Sequence, residues 1–407
     1  MKRELNVCLW ALGCVAAATL GAGRANAATV YLWTANGSTI KGYDASGTAV
    51  AQATLNAPAG GNYFSLAVSG TAASQNVFVA DSQLHTLSEF NWNGTALTPT
   101  GPSFAFAPDP SGGAISPQEI ALDKTGNLWT VSLDGQIEMY SATTGAGTAM
   151  QPANGGLAGA RGIMIDNRSG GTGNVYVTVV GYGTGFVDMF APTQNSTLTR
   201  VSTLGAMTVG TTPVETGQLR GVTEDSAGNI FYADSTWGAG GTDNGYICEV
   251  VGTTCSGGLN SGLSALNGPN ELISGAGGDA SGSGTGTFGT GCDVLFEANY
   301  FAGTVNEIST GLNLSGQGQG PNKCGGGNTN VTTLISGAGL VTGIALAPTG
   351  TGALTISGND SIAGPTFLEA LPADAPEPGT WVLAVSALLI AAGVKLRRKA
   401  ARLNSEA

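Results

Sequence analysis

Along most of this chain a short apolar run is followed by a turn signal and then by a second run carrying an aromatic. One copy reads Gln118-Glu-Ile-Ala-Leu-Asp123 and then Gly126-Asn-Leu-Trp-Thr-Val131. The same shape recurs as Arg161-Gly-Ile-Met-Ile-Asp166 with Gly173-Asn-Val-Tyr-Val-Thr178, and as Arg220-Gly-Val-Thr-Glu-Asp225 with Gly228-Asn-Ile-Phe-Tyr-Ala-Asp234. Weaker copies begin at Ser65 and Gly343, and the second halves of two more stand at Thr29 and Asp293. A continuous run such as Ile163, Met164 and Ile165 predicts a strand buried on both faces. The Asp-x-x-Gly-Asn of Asp123 to Asn127 offers a side-chain acceptor and a positive-φ residue for a tight turn. The second strand then places an aromatic at one fixed point: Tyr31, Phe78, Trp129, Tyr176, Phe231 and Phe296. A third, alternating strand follows in copies such as Gln136 to Tyr140 and Phe186 to Phe190.

The second strands start 47 to 64 residues apart. That period, with three or four short strands per unit, predicts an all-β chain folded as a six- or seven-bladed β-propeller over residues 28–370. The first unit lacks its own inner strand, which Gly343–Leu346 could supply from the other end, leaving no free sheet edge. Gly/Ser/Thr-rich stretches at 274–291 and 311–330 predict long surface loops. The repeats resemble those of NHL-type and SMP-30/lactonase-type propellers. That resemblance implies a divalent ion at the channel mouth, held by Glu, Asn and Asp from different blades, and lactone hydrolysis or lyase chemistry.

The two ends of the chain carry different signals. Lys2 and Arg3 precede an apolar run at 7–20, and Ala25-Asn26-Ala27 supplies small residues at a cleavage position. Residues 1–27 therefore read as a secretory signal peptide cut after Ala27. Residues 371–378 form a Pro-rich linker that ends in Pro376, Glu377 and Pro378, and proline on both sides keeps the glutamate extended and accessible. Residues 379–407 hold an apolar segment, predicted to be a single thin transmembrane helix, and a basic stop at Lys395, Arg397, Arg398 and Lys399. This tail resembles the PEP-CTERM sorting signal. The resemblance implies an exosortase-type processing enzyme as partner and transient anchoring in the inner membrane with the body in the periplasm. Delivery to the cell surface or extracellular matrix would follow, where exopolysaccharide is a further partner.

Between the leader and the tail stand 24 acidic and 7 basic residues, so the body carries far more negative charge than the whole-chain −12. No basic stripe exists, which excludes nucleic acid as a partner. Cys248, Cys255, Cys292 and Cys324 are an even set in an exported chain and predict two disulfides, with the local pairs 248–255 and 292–324 preferred over zinc.

Candidate chemistry is sparse. His85 is the one histidine and reads as a loop residue. Glu119, Asp81, Asp234, Glu297 and Asn299 stand at predicted strand ends and could converge on a metal ion. Asp81 and Asp234 read equally well as turn caps, and Asp123, Asp166 and Asp225 repeat with the turn itself. Of Trp33, Trp92 and Trp237, Trp92 is the best candidate for stacking on a sugar ring. With no complete constellation, the expectation is a non-enzymatic surface or matrix protein without catalytic, cofactor or metal residues. A metal-dependent lactonase or lyase is the alternative.

Overall fold

The first strand of the chain has its inner partner near the other end. Leu32–Ala35 pairs antiparallel with Gly343–Leu346, setting Leu32 opposite Leu346 and Ala35 opposite Gly343. The sequence expectation of closure from the far end is met. In this computed structural model residues 30–362 are described apart from stretches between strands, the longest being 278–291, 310–330 and 348–360. All described residues lie in one unit, Met1–Phe367. The leader with Ala25 and Ala27, the linker with Pro376, Glu377 and Pro378, and the apolar tail with its basic stop lie outside the described residues. Among the described residues no helix is long and apolar enough to cross a membrane.

The described residues are all-β, in sheets that are antiparallel apart from two short parallel pairs, consistent with a propeller. The closing strand and Leu32–Ala35 continue through Thr39–Tyr43 to Ala49–Asn56. Five further groups are led by Tyr63–Thr71, Pro117–Leu122, Ala160–Ile165, Leu219–Glu224 and Pro269–Gly277, each followed by its neighbours in chain order. The outer strands of the second and third of these, Gly147–Pro152 and Thr197–Leu204, pair parallel and join them into one sheet, and Ser361–Ile362 pairs parallel with Tyr63–Thr71. These leading strands touch one another in sequence, and the last touches Gly343–Leu346, which in turn touches Tyr63–Thr71. The cycle is closed. Ser274 to Gly277, expected in a loop, belongs to the strand Pro269–Gly277, whose antiparallel register with Cys292–Asn299 runs through to Gly277 opposite Cys292.

The apolar cores lie between successive groups. One joins Phe78, Ala80 and Leu87 to Phe106, Ile120, Leu128 and Tyr140. Another joins Leu32 and Ile344 to Phe296, Val305 and Ile335. Fully burying each such side chain contributes about 1.5–3 kcal/mol, so the stack of sheets is held together by the faces that the repeat pattern makes apolar. The second-strand aromatics Phe78, Trp129, Tyr176, Phe231 and Phe296 are all buried. In the first group the register assigns that place to Trp33, opposite Ala345, and not to Tyr31. Strand pairing fixes the position here, and the local spacing from Tyr31 misses it by two residues.

The tryptophan expectation is corrected. Trp33 and Trp92 are both fully buried and meet edge to face, with ring centroids 6.1 Å apart. Trp33 donates from Nε1 to Oε1 of Gln75 at 2.6 Å, and Gln75 donates from Nε2 to the Val30 carbonyl at 3.0 Å. Neither ring is available to a sugar, because Trp92 closes the core between the first two groups. Trp237 lies outside the described residues.

The turn aspartates behave as the repeat predicts. Asp123 Oδ1 accepts from the backbone N–H of Thr125 and of Asn127, both at 2.9 Å, while Gly126 has a φ of 87°. Asp166 holds the equivalent turn through its own N–H to the Asn174 carbonyl at 2.9 Å. Asp225 is outside the described residues. Cys248 is disulfide-bonded and buried, and Cys255 stands on the adjacent strand, with its backbone opposite Val250. The side chains of Cys255, Cys292 and Cys324 are outside the description.

Candidate functional site

Near the start of five leading strands the pairing with the second strand skips a residue. Tyr63 faces Asp81 and Ser65 faces Ala80, leaving Phe64 unpaired. Gln118, Arg161 and Asn270 are skipped in the same way, and in the remaining strand the shift between Leu219 and Val222 takes in Arg220. A β-bulge turns the extra residue away from the alternation of its strand and re-aims its side chain. In the closing strand Thr342 stands at the matching position, one residue before Gly343, and donates its N–H to the Ala35 carbonyl at 2.8 Å. These six residues, one per group, line a single recess together with Glu119 and Gly221.

The recess measures about 10 Å³, room for about one water molecule. It adjoins a cavity of about 410 Å³ that shares Phe64, Arg161, Arg220 and Asn270 and adds Ser235, Tyr300 and Phe301. Tyr300 and Phe301 meet edge to face at 5.1 Å in the turn that follows Cys292–Asn299. The Asn299 side chain and carbonyl anchor that turn, accepting from Ala302 N at 3.2 Å and Gly303 N at 3.0 Å.

Hydrogen bonds tie the groups together around this centre. Arg161 donates from Nη1 to Gln118 Oε1 at 2.7 Å, and Ile120 N donates to Ser65 Oγ at 3.2 Å. Thr178 Oγ1 accepts from Gly162 N at 2.7 Å and donates to the Arg220 carbonyl at 2.6 Å. Asn270 Nδ2 donates to the Thr342 carbonyl at 2.6 Å, and Thr342 Oγ1 lies 3.1 Å from the Tyr63 carbonyl. Arg220 also donates from Nε to Ser235 Oγ at 3.3 Å.

Two guanidinium groups therefore share one partly buried space. Burial first and the Arg161 charge second bring the pKa of Arg220 down to about 10, with Tyr300 acting in the opposite sense. Burial also lowers that of Arg161. Both stay protonated at neutral pH, and each costs less once a counter-charge arrives. Beside them the Glu119 carboxylate is buried under Gly162, where a Cβ would lie 2.9 Å from its Oε2 and 2.3 Å from the Arg220 carbonyl. Glycine there leaves the space that the carboxylate fills.

Of the five expected metal donors only Glu119 reaches the recess. Asp81 is a turn cap: its Oδ1 accepts from Asn62 N at 2.9 Å, Gln83 N at 3.0 Å and Leu84 N at 2.8 Å. Glu297 accepts from Asn306 Nδ2 at 2.7 Å inside its own sheet. Asp234 and Asn299 are buried at the ends of their strands, and neither lines the recess or the cavity. Among the described residues no three of His, Cys, Asp and Glu are grouped to hold a metal ion. One carboxylate flanked by two guanidinium groups is a donor set for an anion, and it does not fit a divalent cation. His85 has a positive φ of 56° in the turn after Asp81 and lies apart from the cavity. Sequence reasoning missed Arg161, Arg220, Gln118, Asn270, Phe64 and Thr342. Their signal was their shared place in the repeat: Arg161 and Arg220 are two of only seven basic residues in the body, and both stand one residue before a glycine at the head of a leading strand.

No family model matches the chain, and no curated protein matches it by sequence. Several solved structures are similar to it in fold, among them SMP-30/regucalcin-like propeller proteins. A protein from Bacteroides uniformis described as a candidate 6-phosphogluconolactonase is 12% identical, with 76% of this chain and 80% of that one covered and a TM-score of 0.44. Regucalcin, a calcium-binding protein from Agrobacterium tumefaciens, is 12% identical over 61% of this chain and 72% of its own, with a TM-score of 0.36. A luciferin-regenerating enzyme is 14% identical over 84% of this chain and 97% of its own, with a TM-score of 0.42. Likenesses with TM-scores below 0.5 carry no argument about this chain, and the chemistry rests on the recess.

The expectation of a non-enzymatic body is corrected: its premise that no constellation exists fails, since Glu119, Arg161 and Arg220 border one recess. These residues lie on three different leading strands, up to 101 positions apart in sequence, and the packing of successive leading strands brings them together.

Proposed function

We propose that this chain is an exported six-bladed propeller that hydrolyses a small lactone or related ester in its central recess. The observation that carries the reading is Glu119 beside Arg161 and Arg220 in a recess with room for about one water, opening into a cavity of about 410 Å³. Glu119 takes a proton from water as the water's oxygen attacks the ester carbonyl. The carbonyl oxygen becomes an oxyanion, and the guanidinium N–H groups stabilise that charge in a space shielded from bulk water. Collapse of the tetrahedral intermediate breaks the ring C–O bond, and the proton on Glu119 goes to the departing alkoxide. The ring-opened hydroxy acid leaves with Glu119 again ionised. Six blades are supported by six leading strands that touch in one closed cycle.

Export is proposed from the leader and the tail: secretion after cleavage at Ala25-Asn26-Ala27, then processing at Pro376-Glu377-Pro378 while the basic residues 395–399 remain on the cytoplasmic side. The acidic body and the local disulfide pair 248–255 suit a protein working outside the cytoplasm.

The test is lactone opening by the protein purified from the envelope or medium of producing cells, followed by pH-stat titration with and without chelator. Turnover that survives chelation and falls by about 10²–10⁴ in Glu119→Gln supports the reading. Turnover unchanged in that variant, or abolished by chelator, overturns it. Mass spectrometry of the same material reports whether Ala407 is still present, and an intact carboxyl terminus contradicts processing.

A further inference from the structure

We propose that Arg161 and Arg220 form a clamp for a small organic anion, a carboxylate or phosphate carried on the ligand, whose uncharged part lies against Phe64, Tyr300 and Phe301. The proposal deepens the hydrolase reading by naming the class of substrate, and it rests on that reading for its location. It rests on binding geometry for its content.

Three observations lead to it. Both arginines come from the same bulged position of adjacent leading strands, so the fold itself sets two guanidinium groups side by side. Arg161 donates from Nη1 to the neutral Gln118 Oε1, and its Nε is buried with no hydrogen-bond partner, while Arg220 donates from Nε to Ser235 Oγ. A buried guanidinium N–H without an acceptor is costly, and a bound oxyanion supplies one. Against the two cations the recess offers one carboxylate, Glu119, leaving a local excess of positive charge in a body that is otherwise strongly acidic.

The cavity fits this division of labour. Its polar floor is Arg161, Arg220, Asn270 and Ser235, and its apolar side is made by Phe64, Tyr300 and Phe301. Phe301 is about two-fifths exposed, so one ring of that side also meets solvent. A volume of about 410 Å³ accommodates a molecule the size of a sugar acid or sugar phosphate. Arginine is the residue that matches either oxyanion with two parallel N–H donors.

The two anion sources are separated by probe. Titration calorimetry of the mature full-length protein would use D-galacturonate, D-glucose 6-phosphate and neutral D-glucose. The expected result is binding of one or both anions, at least about tenfold weaker binding of D-glucose, and a further loss of about tenfold or more in Arg161→Gln. Binding of galacturonate alone assigns a carboxylate, and binding of the phosphate alone assigns a phosphoryl group. Arg161→Lys, which keeps the charge and loses the fork, is expected to fall between the parent and Arg161→Gln. Phe301→Ala, at an exposed position where folding is not in question, is expected to weaken both anions together. Equal binding of D-glucose, no binding of either anion, or affinity unchanged in both Arg161→Gln and Phe301→Ala overturns the clamp. Anion binding with no lactone turnover would overturn the hydrolase reading and leave the clamp standing.

Discussion

Gly162 and Glu119 sit so close across two leading strands that a Cβ on Gly162 would lie 2.9 Å from Oε2 of Glu119. The same Cβ would come within 2.3 Å of the Arg220 carbonyl and 2.7 Å of Thr178 Oγ1. Two of these three neighbours are fixed, since Thr178 Oγ1 bridges Gly162 N and that carbonyl. Gly162→Ala must therefore push leading strands apart or move the carboxylate. Overpacking of this kind costs typically about 1–3 kcal/mol. The expected outcome is a lower midpoint in urea with an unchanged slope, together with a loss of turnover larger than the loss of folded protein.

Closure by the last strand should dominate stability. Ile344 is buried in the core that joins the first and sixth groups, and it faces Thr34 across the closing pair. Ile344→Ala is expected to cost about 2–5 kcal/mol. Because the closing strand touches both neighbouring leading strands, the loss should show as a single cooperative transition at lower denaturant. A separate early transition confined to the ends of the chain would contradict a closed ring.

Much of this architecture was legible in the sequence, and the reason is local. Ile163 to Ile165, the turn at Asp123 to Asn127 and the buried aromatics each state their role within about a dozen residues, and Gly343–Leu346 carries the strand pattern that the first unit lacks. What depended on pairing was not legible. The bulges at Phe64, Gln118, Arg161 and Asn270 are skips in register between two strands, and a single strand carries no mark of such a skip. Trp92 looked exposed because Asn91, Asn93 and Gly94 surround it, yet its ring is covered by Trp33 from another strand pair. Asp81 and Glu119 looked alike as acids at strand ends. One is held by two backbone N–H groups of its own turn and by that of Asn62, and the other borders the recess.

Gln75 links the two tryptophan-bearing groups. It accepts from Trp33 Nε1 at 2.6 Å and donates to the Val30 carbonyl at 3.0 Å, all within a fully buried cluster. Replacing it with leucine keeps the bulk and strands the indole N–H, at a cost of about 1–3 kcal/mol. Thermal melts should show the loss, and tryptophan emission should shift as the polar contact to Trp33 disappears. Binding of neutral polysaccharide should not change beyond what the lost stability explains, because neither ring is at the surface.

Glu297 should set how stability depends on pH. It is fully buried; burial raises its pKa to about 8, against a smaller opposing effect of the hydrogen bond from Asn306. Its Oε2 accepts from Asn306 Nδ2, and its Oε1 is buried with no partner. The folded state therefore favours the neutral acid, while the unfolded chain ionises near the ordinary glutamate value of about 4.3. A folded pKa raised above the unfolded one gives stability that is fully present at low pH and is lost as pH rises. The loss runs from about pH 4 to about pH 8 for this group, at up to about 1.4 kcal/mol per pH unit, and levels off above that window. Glu297→Gln keeps the shape and the acceptor for Asn306 and removes the ionisation. Denaturant midpoints measured between pH 5 and 9 should fall less steeply in the variant than in the parent, with the gap widest at pH 8 to 9. Parallel curves for the two proteins would mean that Glu297 is already ionised in the folded chain.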